Sequence, residues 1–157
     1  MAFDNAVLSE NKKLGAGEVI TSKPYNTETF KVFESGIIQG RFCKYDTGSI
    51  DMLDGSSTPK IAGITKRKVG GEIEVSTYTY TSDTVVNVHN FGLVTVDVVS
   101  GNTPAKYGTV YAVNASGSGA DFSKATTTST NNVDTGCVFW EQTDTNVWLV
   151  LIPSYLK

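Results

Sequence analysis

This chain of 157 residues is poor in the features that build helices and catalytic centres. Leucine occurs 7 times and no apolar heptad runs anywhere, which excludes a coiled coil. No stretch approaches the roughly 18 consecutive apolar residues of a membrane-spanning helix. The chain has one histidine and two cysteines, far apart, which is too few and too dispersed for a Cys/His metal centre. Its 15 glycines follow no three-residue period, so it is not collagen-like. Threonine (20), valine (18), glycine and serine (14) fill the composition instead. β-Branched side chains suit a pleated surface and glycine suits tight turns, so this excess favours strands over helices. With 39% hydrophobic and 10% aromatic residues the chain has enough apolar matter for one core, which argues against a wholly disordered polypeptide.

The net charge of −3 is unevenly spread. Residues 1–70 hold 10 Lys/Arg against 8 Asp/Glu, a balance of +2; residues 71–157 hold 3 against 8, a balance of −5. Without a broad basic face, sequence-independent nucleic-acid binding is disfavoured and no nucleic-acid partner is expected. The one dense basic run, Lys66-Arg67-Lys68, reads as a solvated turn. Cys43 and Cys137 each lie in an apolar, strand-like run; they read as two buried free thiols, with a single disulfide as the alternative. The start, with an early Asp4 and no apolar run of signal length, predicts no signal peptide and no membrane partner.

Along the chain, residues 1–30 carry sparse, irregular apolar positions (Phe3, Val7, Leu8, Leu14, Val19, Ile20) broken by Pro24 and Asn26. They are expected to form an extended N-terminal arm, with room for one strand, that gains order on a partner. Residues 31–157 are expected to form a single β domain. Strands are predicted at Ile37–Tyr45, with Gly40 as a bulge or close-approach point, and at 60–64, 72–80, 84–88, 93–99 and 107–114. Asn90-Phe91-Gly92 reads as a break. Residues 115–135 read as a long surface loop, and 136–141 with 146–152 as a terminal hairpin turning at Asp144-Thr145. Val94, Val96 and Val98 are expected to be buried. Both faces of 147–152 are apolar, which marks a central strand or one covered by a partner. About eight to ten short strands at this spacing predict an all-β fold, an antiparallel β-sandwich or small β-barrel.

Each candidate chemical site weakens on inspection. Asp46, Asp51 and Asp54 lie near Gly55, yet the alternating ligand order of a calcium loop is absent and turn formation accounts for them. His89 has no nucleophile elbow near it and reads as structural. Gly15-Ala16-Gly17 and Gly117-Ser118-Gly119 lack the strand–helix frame of a phosphate cradle. Asn114-Ala115-Ser116 matches a glycosylation triplet in a chain with no expected secretory route. Tyr78, Tyr80, Tyr107, Tyr111, Trp140 and Trp148 are candidates for a sugar-stacking face, or for cross-strand packing or an interface. No catalytic residue, metal or cofactor is expected.

The start Met1-Ala2-Phe3-Asp4-Asn5-Ala6, the stretch Gly36-Ile37-Ile38-Gln39-Gly40-Arg41-Phe42, the following Asp-Gly loop and Lys60-Ile61-Ala62-Gly63-Ile64 resemble the structural cement, or capsid decoration, proteins of tailed bacteriophages. The resemblance implies a non-enzymatic protein of the virion, made in the bacterial host cytoplasm. It would sit on the outer capsid surface, bridge neighbouring copies of the major capsid protein as a homo-oligomer (trimer or dimer) and stabilise the head against internal DNA pressure. Phe3, Leu8, Lys12, Lys13 and Leu14 of the arm are then the expected capsid contacts. The rival reading is a glycan- or receptor-binding β module of a tail fibre or surface structure.

Overall fold

The computed structural model describes residues 15–33, 36–56, 58–68 and 78–153. The expected contacts Phe3, Leu8, Lys12, Lys13 and Leu14 therefore lie outside the described residues, as does most of the alternating run 72–80. The described residues hold no α-helix. They form β1 (Asn26–Lys31), β2 (Ile37–Ile38), β3 (Phe42–Asp46), β4 (Ser49–Asp51), β5 (Ile61–Thr65), β6 (Thr79–Tyr80), β7 (Val85–Asp97), β8 (Thr109–Ala112), β9 (Ala125–Thr126), β10 (Val133–Asp144) and β11 (Val147–Ile152). Nine of them make one antiparallel sheet in the order β4-β3-β5-β7-β11-β10-β8-β9, with β1 also on β7; β2 and β6 form a small second sheet. The large sheet curls into a half-barrel. Its far edge returns toward β7 through the bridge between Val98 and Ala125, and the Phe42 N–H donates to the Ser123 carbonyl. The all-β expectation holds, and its sandwich-or-barrel alternatives meet in this shape.

The 13-residue β7 organises the molecule. Its first half pairs with β1 and β5, its second with β11, and Val94 bridges to Val19. The break expected at Asn90-Phe91-Gly92 does not occur. Asn26 pairs with Phe91 and Thr27 with His89, so Asn90 is an extra residue opposite β1, a β-bulge. The bulge inverts the side-chain alternation without ending the strand. Val86 and Val88 join one buried cluster, whereas Val94, Val96 and Val98, of the same even parity, join the other. Gly92 permits the accompanying bend at φ +107°, and a Cβ there would lie 2.7 Å from the Pro24 carbonyl oxygen.

Two cores result. One fills the half-barrel with Phe42, Ile64, Val110, Phe139, Val150 and Ile152 among others. The second packs Val32, Ile37, Cys43, Ile50, Ala62, Tyr80, Val86 and Val88 beneath the small sheet. β3 and β5 serve both: Phe42 and Ile64 enter the first, Cys43 and Ala62 the second, which is why all five residues of β5 are buried. β11 is central, between β7 and β10, the first of the two alternatives that its apolar faces left open.

Further boundaries differ from the sequence-based expectation, among them the terminal hairpin, whose first strand is Val133–Asp144 and whose turn is Thr145-Asn146. The predicted strand at 37–45 is two strands, because the chain turns at Gln39-Gly40. There Gly40 has φ +72° and Ala16 comes so close that no Cβ would fit, the close approach its position suggested. The predicted strand at 107–114 contracts to 109–112, because Lys106 and Tyr107 form a turn. The segment 115–135 is not all surface loop: it holds a 3-10 turn at Gly119–Asp121, the strand β9 and the start of β10, with Ser123, Ala125 and Thr126 buried. This run of small and polar residues has no apolar alternation, so periodicity carries no signal there.

Candidate functional site

Described residues preceding β1 run along β7. The Gly17 N–H donates to the Thr95 carbonyl at 2.8 Å and the Ile20 N–H to that of Leu93 at 2.9 Å. The buried Thr95 hydroxyl donates to the Gly15 carbonyl at 2.6 Å and accepts from the Glu18 N–H at 2.9 Å. Residues 15–20 are thus part of the sheet scaffold. Beside them an open cleft of about 520 Å³ is lined by Glu18, Tyr25, Thr29, Arg67, Asn87 and His89 among others.

His89 closes the floor of this cleft. It is 2% exposed, and its Nδ1 shares a 2.8 Å hydrogen bond with the Thr27 hydroxyl. Burial pushes its pKa down to about 4 against a smaller opposing pull from the Gly17 carbonyl, so the ring is neutral at pH 7. Nε2 has no hydrogen-bond partner. The structure thus places His89 as a neutral, buried imidazole linked to a threonine of β1.

The other sequence candidates are dispersed. Asp54 pairs with Lys44 at 2.8 Å; hydrogen bonds from Lys44 and Ser56 hold its pKa down to about 2. Asp51 accepts from the Met52 N–H and Asp46 from the Thr47 hydroxyl. No three metal-ligating residues gather among the described residues. The basic run is engaged rather than free: Arg67 lies 3.6 Å from Glu18, and Lys68 donates to the Tyr78 hydroxyl at 2.8 Å while lying over its ring. Cys43 and Cys137 are both buried free thiols in different cores, each pushed up in pKa by burial, Cys137 to about 12.

The aromatic candidates are split among separate edge-to-face pairs. Tyr78 meets Tyr80 at 5.0 Å, Trp148 meets the core residue Phe139 at 5.6 Å, and Tyr107 meets Trp140 at 5.7 Å. Of these rings Tyr107 is the most open, at 66% exposure. Tyr25, Phe33 and Val85 are the other large apolar side chains left exposed among the described residues. Sequence reasoning did not single out Phe33 or Val85, because each sits in a run whose period says nothing about which face lacks a neighbour.

These features define an all-β protein with surface aromatics and, among the described residues, no metal-ligating cluster. The chain belongs to the XM1 gp53 minor capsid protein family, whose model matches residues 3–153. It is similar, at 49% identity and a TM-score of 0.82, to a chain in a solved structure of the capsid of the Myoviridae phage XM1; the match covers 99% of this chain and 100% of that one. No curated protein matches. Membership gives the chain a capsid-associated structural role in a bacteriophage virion and agrees with the resemblance drawn from its residues.

Proposed function

We propose that this protein is a capsid decoration, or cement, protein. It binds the outer surface of the assembled head, bridges neighbouring major capsid proteins as a dimer or trimer, and stabilises the shell against internal DNA pressure without catalysing a reaction. The observation that carries the reading is the full-length similarity, at 49% identity, to a chain found in a phage capsid. The mechanism is mass action: a ligand that binds the expanded lattice and not its dissociated parts stabilises that lattice, and many equivalent sites multiply a modest contact. A stiff, doubly cored sheet suits this task because little conformational freedom remains to be lost on docking.

Within this reading Phe3, Leu8, Lys12, Lys13 and Leu14 are the proposed arm contacts. Gly15, which follows them in the chain, accepts a hydrogen bond from Thr95 of β7 through its carbonyl. The test is co-sedimentation of the purified protein with expanded capsids lacking it, followed by imaging of the decorated particles and thermal disruption of the shells. Saturable density on the outside and a higher disruption temperature are expected. Binding to dissociated subunits but not to shells, or density on the inner surface, would refute the reading. Deleting residues 2–14 spares the β7 contacts; full occupancy by that variant would reject the arm assignment alone.

A further inference from the structure

Tyr107 occupies a turn position that normally takes another residue. The Gly108 N–H donates to the Ala105 carbonyl at 2.9 Å, closing a four-residue turn over 105–108. Tyr107 is its third residue, with φ +69°, in the left-handed region that favours glycine or asparagine and is an outlier for a bulky side chain. The turn is fixed by two flanking hydrogen bonds, from the Tyr107 N–H to the Phe139 carbonyl at 2.7 Å and from the Phe139 N–H to the Gly108 carbonyl at 2.9 Å. The strained tyrosine fills no core: it is 66% exposed, in an edge-to-face contact with Trp140. Trp140 is itself the extra residue of a β-bulge, between the pairs Phe139–Val150 and Glu141–Leu149.

Lys106 completes the cluster, with Nζ 4.8 Å from the Trp140 ring centre and 5.4 Å from that of Tyr107. Among the described residues of the acidic second half there are two lysines. Lys124 pairs with the Asp121 carboxylate at 2.9 Å; Lys106 meets two rings and, among the described residues, no carboxylate.

We propose that Lys106, Tyr107 and Trp140 form a docking knob whose partner is an acidic surface of the neighbouring major capsid protein. The inference rests on the capsid-binding reading above. Strain kept at an exposed aromatic that adds nothing to the core is the mark of a functional position. Tyrosine and tryptophan are the side chains that dominate interface energetics. The charge selects the partner: a cation already placed over two rings is complemented by a carboxylate, and a two-fold, knob-on-knob contact with a second copy would set Lys106 against Lys106.

Tyr107→Gly and Lys106→Glu test this, with urea unfolding of the free protein measured alongside binding to expanded capsids lacking it. Tyr107→Gly is expected to unfold at the same or a higher urea concentration while losing at least fivefold in capsid affinity. Lys106→Glu should lose at least fivefold with no change in unfolding, and wild-type affinity should fall as salt rises. A smaller loss in both variants overturns the proposal while leaving the capsid-binding reading intact. A less stable Tyr107→Gly protein overturns the strain argument and the proposal with it. A changed solution mass for Tyr107→Gly would assign the knob to contact between copies and overturn it too. Failure of the wild-type chain to bind capsids would remove both readings together.

Discussion

Arg41 Nε lies 3.3 Å from Asp97 Oδ2, an ion pair with Arg41 nearly buried and Asp97 about a quarter exposed, joining the start of β3 to the end of β7. The same guanidinium donates through Nη1 to the Ala120 and Phe122 carbonyls at 2.7 and 3.3 Å. One side chain thus ties the barrel wall to the 119–122 turn across its mouth. Replacing Arg41 by Met would leave a partly desolvated carboxylate and two carbonyls without their donor. A loss of about 3 kcal/mol is expected, at the lower end for a broken buried pair because Asp97 keeps some water. Urea unfolding of Arg41→Met measures it; a change below about 1 kcal/mol would show that water replaces the guanidinium freely.

His89 makes the fold sensitive to acid. The unfolded imidazole takes up a proton near pH 6.5, the folded one only near 4. Between these values the unfolded chain holds more protons, so stability falls as pH drops from about 6.5 to 4, by on the order of 3 kcal/mol in all. His89→Gln should flatten this part of the pH profile. An unchanged slope in that variant would place the acid sensitivity elsewhere.

Gly92 carries the bend of β7 at φ +107°, with the Pro24 carbonyl where a side chain would begin. Gly92→Ala combines left-handed strain with a backbone clash and should cost about 2–3 kcal/mol. The thermal midpoint of that variant checks it; a midpoint within a degree of wild type would mean that residues 24–25 move aside without penalty.

Cys43 and Cys137 occupy different cores and are fully covered. Neither should react with a thiol reagent in the native protein at pH 8, both should react once urea unfolds it, and a reducing agent should leave the unfolding midpoint unchanged. Rapid labelling of either thiol in the native state would contradict its burial.

Elements whose side chains alternate are legible in the amino-acid order itself. The burial of Val94, Val96 and Val98 and the pairing of the terminal hairpin follow from period and turn chemistry. Where alternation stops, legibility stops. Asn90-Phe91-Gly92 looks like a turn because Asn and Gly favour one, yet the partners on β1 and β5 hold the strand through it. The buried strand at Ala125-Thr126 has no sequence mark, because its run of small and polar residues has no apolar alternation.

Composition and periodicity by themselves determined an all-β chain with a thin apolar supply, no metal-binding cluster pattern and a leading segment unlike the rest. Those properties belong to local side-chain chemistry, which the linear order of residues states directly. Tertiary structure alone decided that β7 serves two cores, that the lone histidine sits neutral beneath β1, and that Lys106, Tyr107 and Trp140 converge. These depend on residues distant in sequence meeting across bulges and turns, and a one-residue shift of register exchanges the faces of everything that follows.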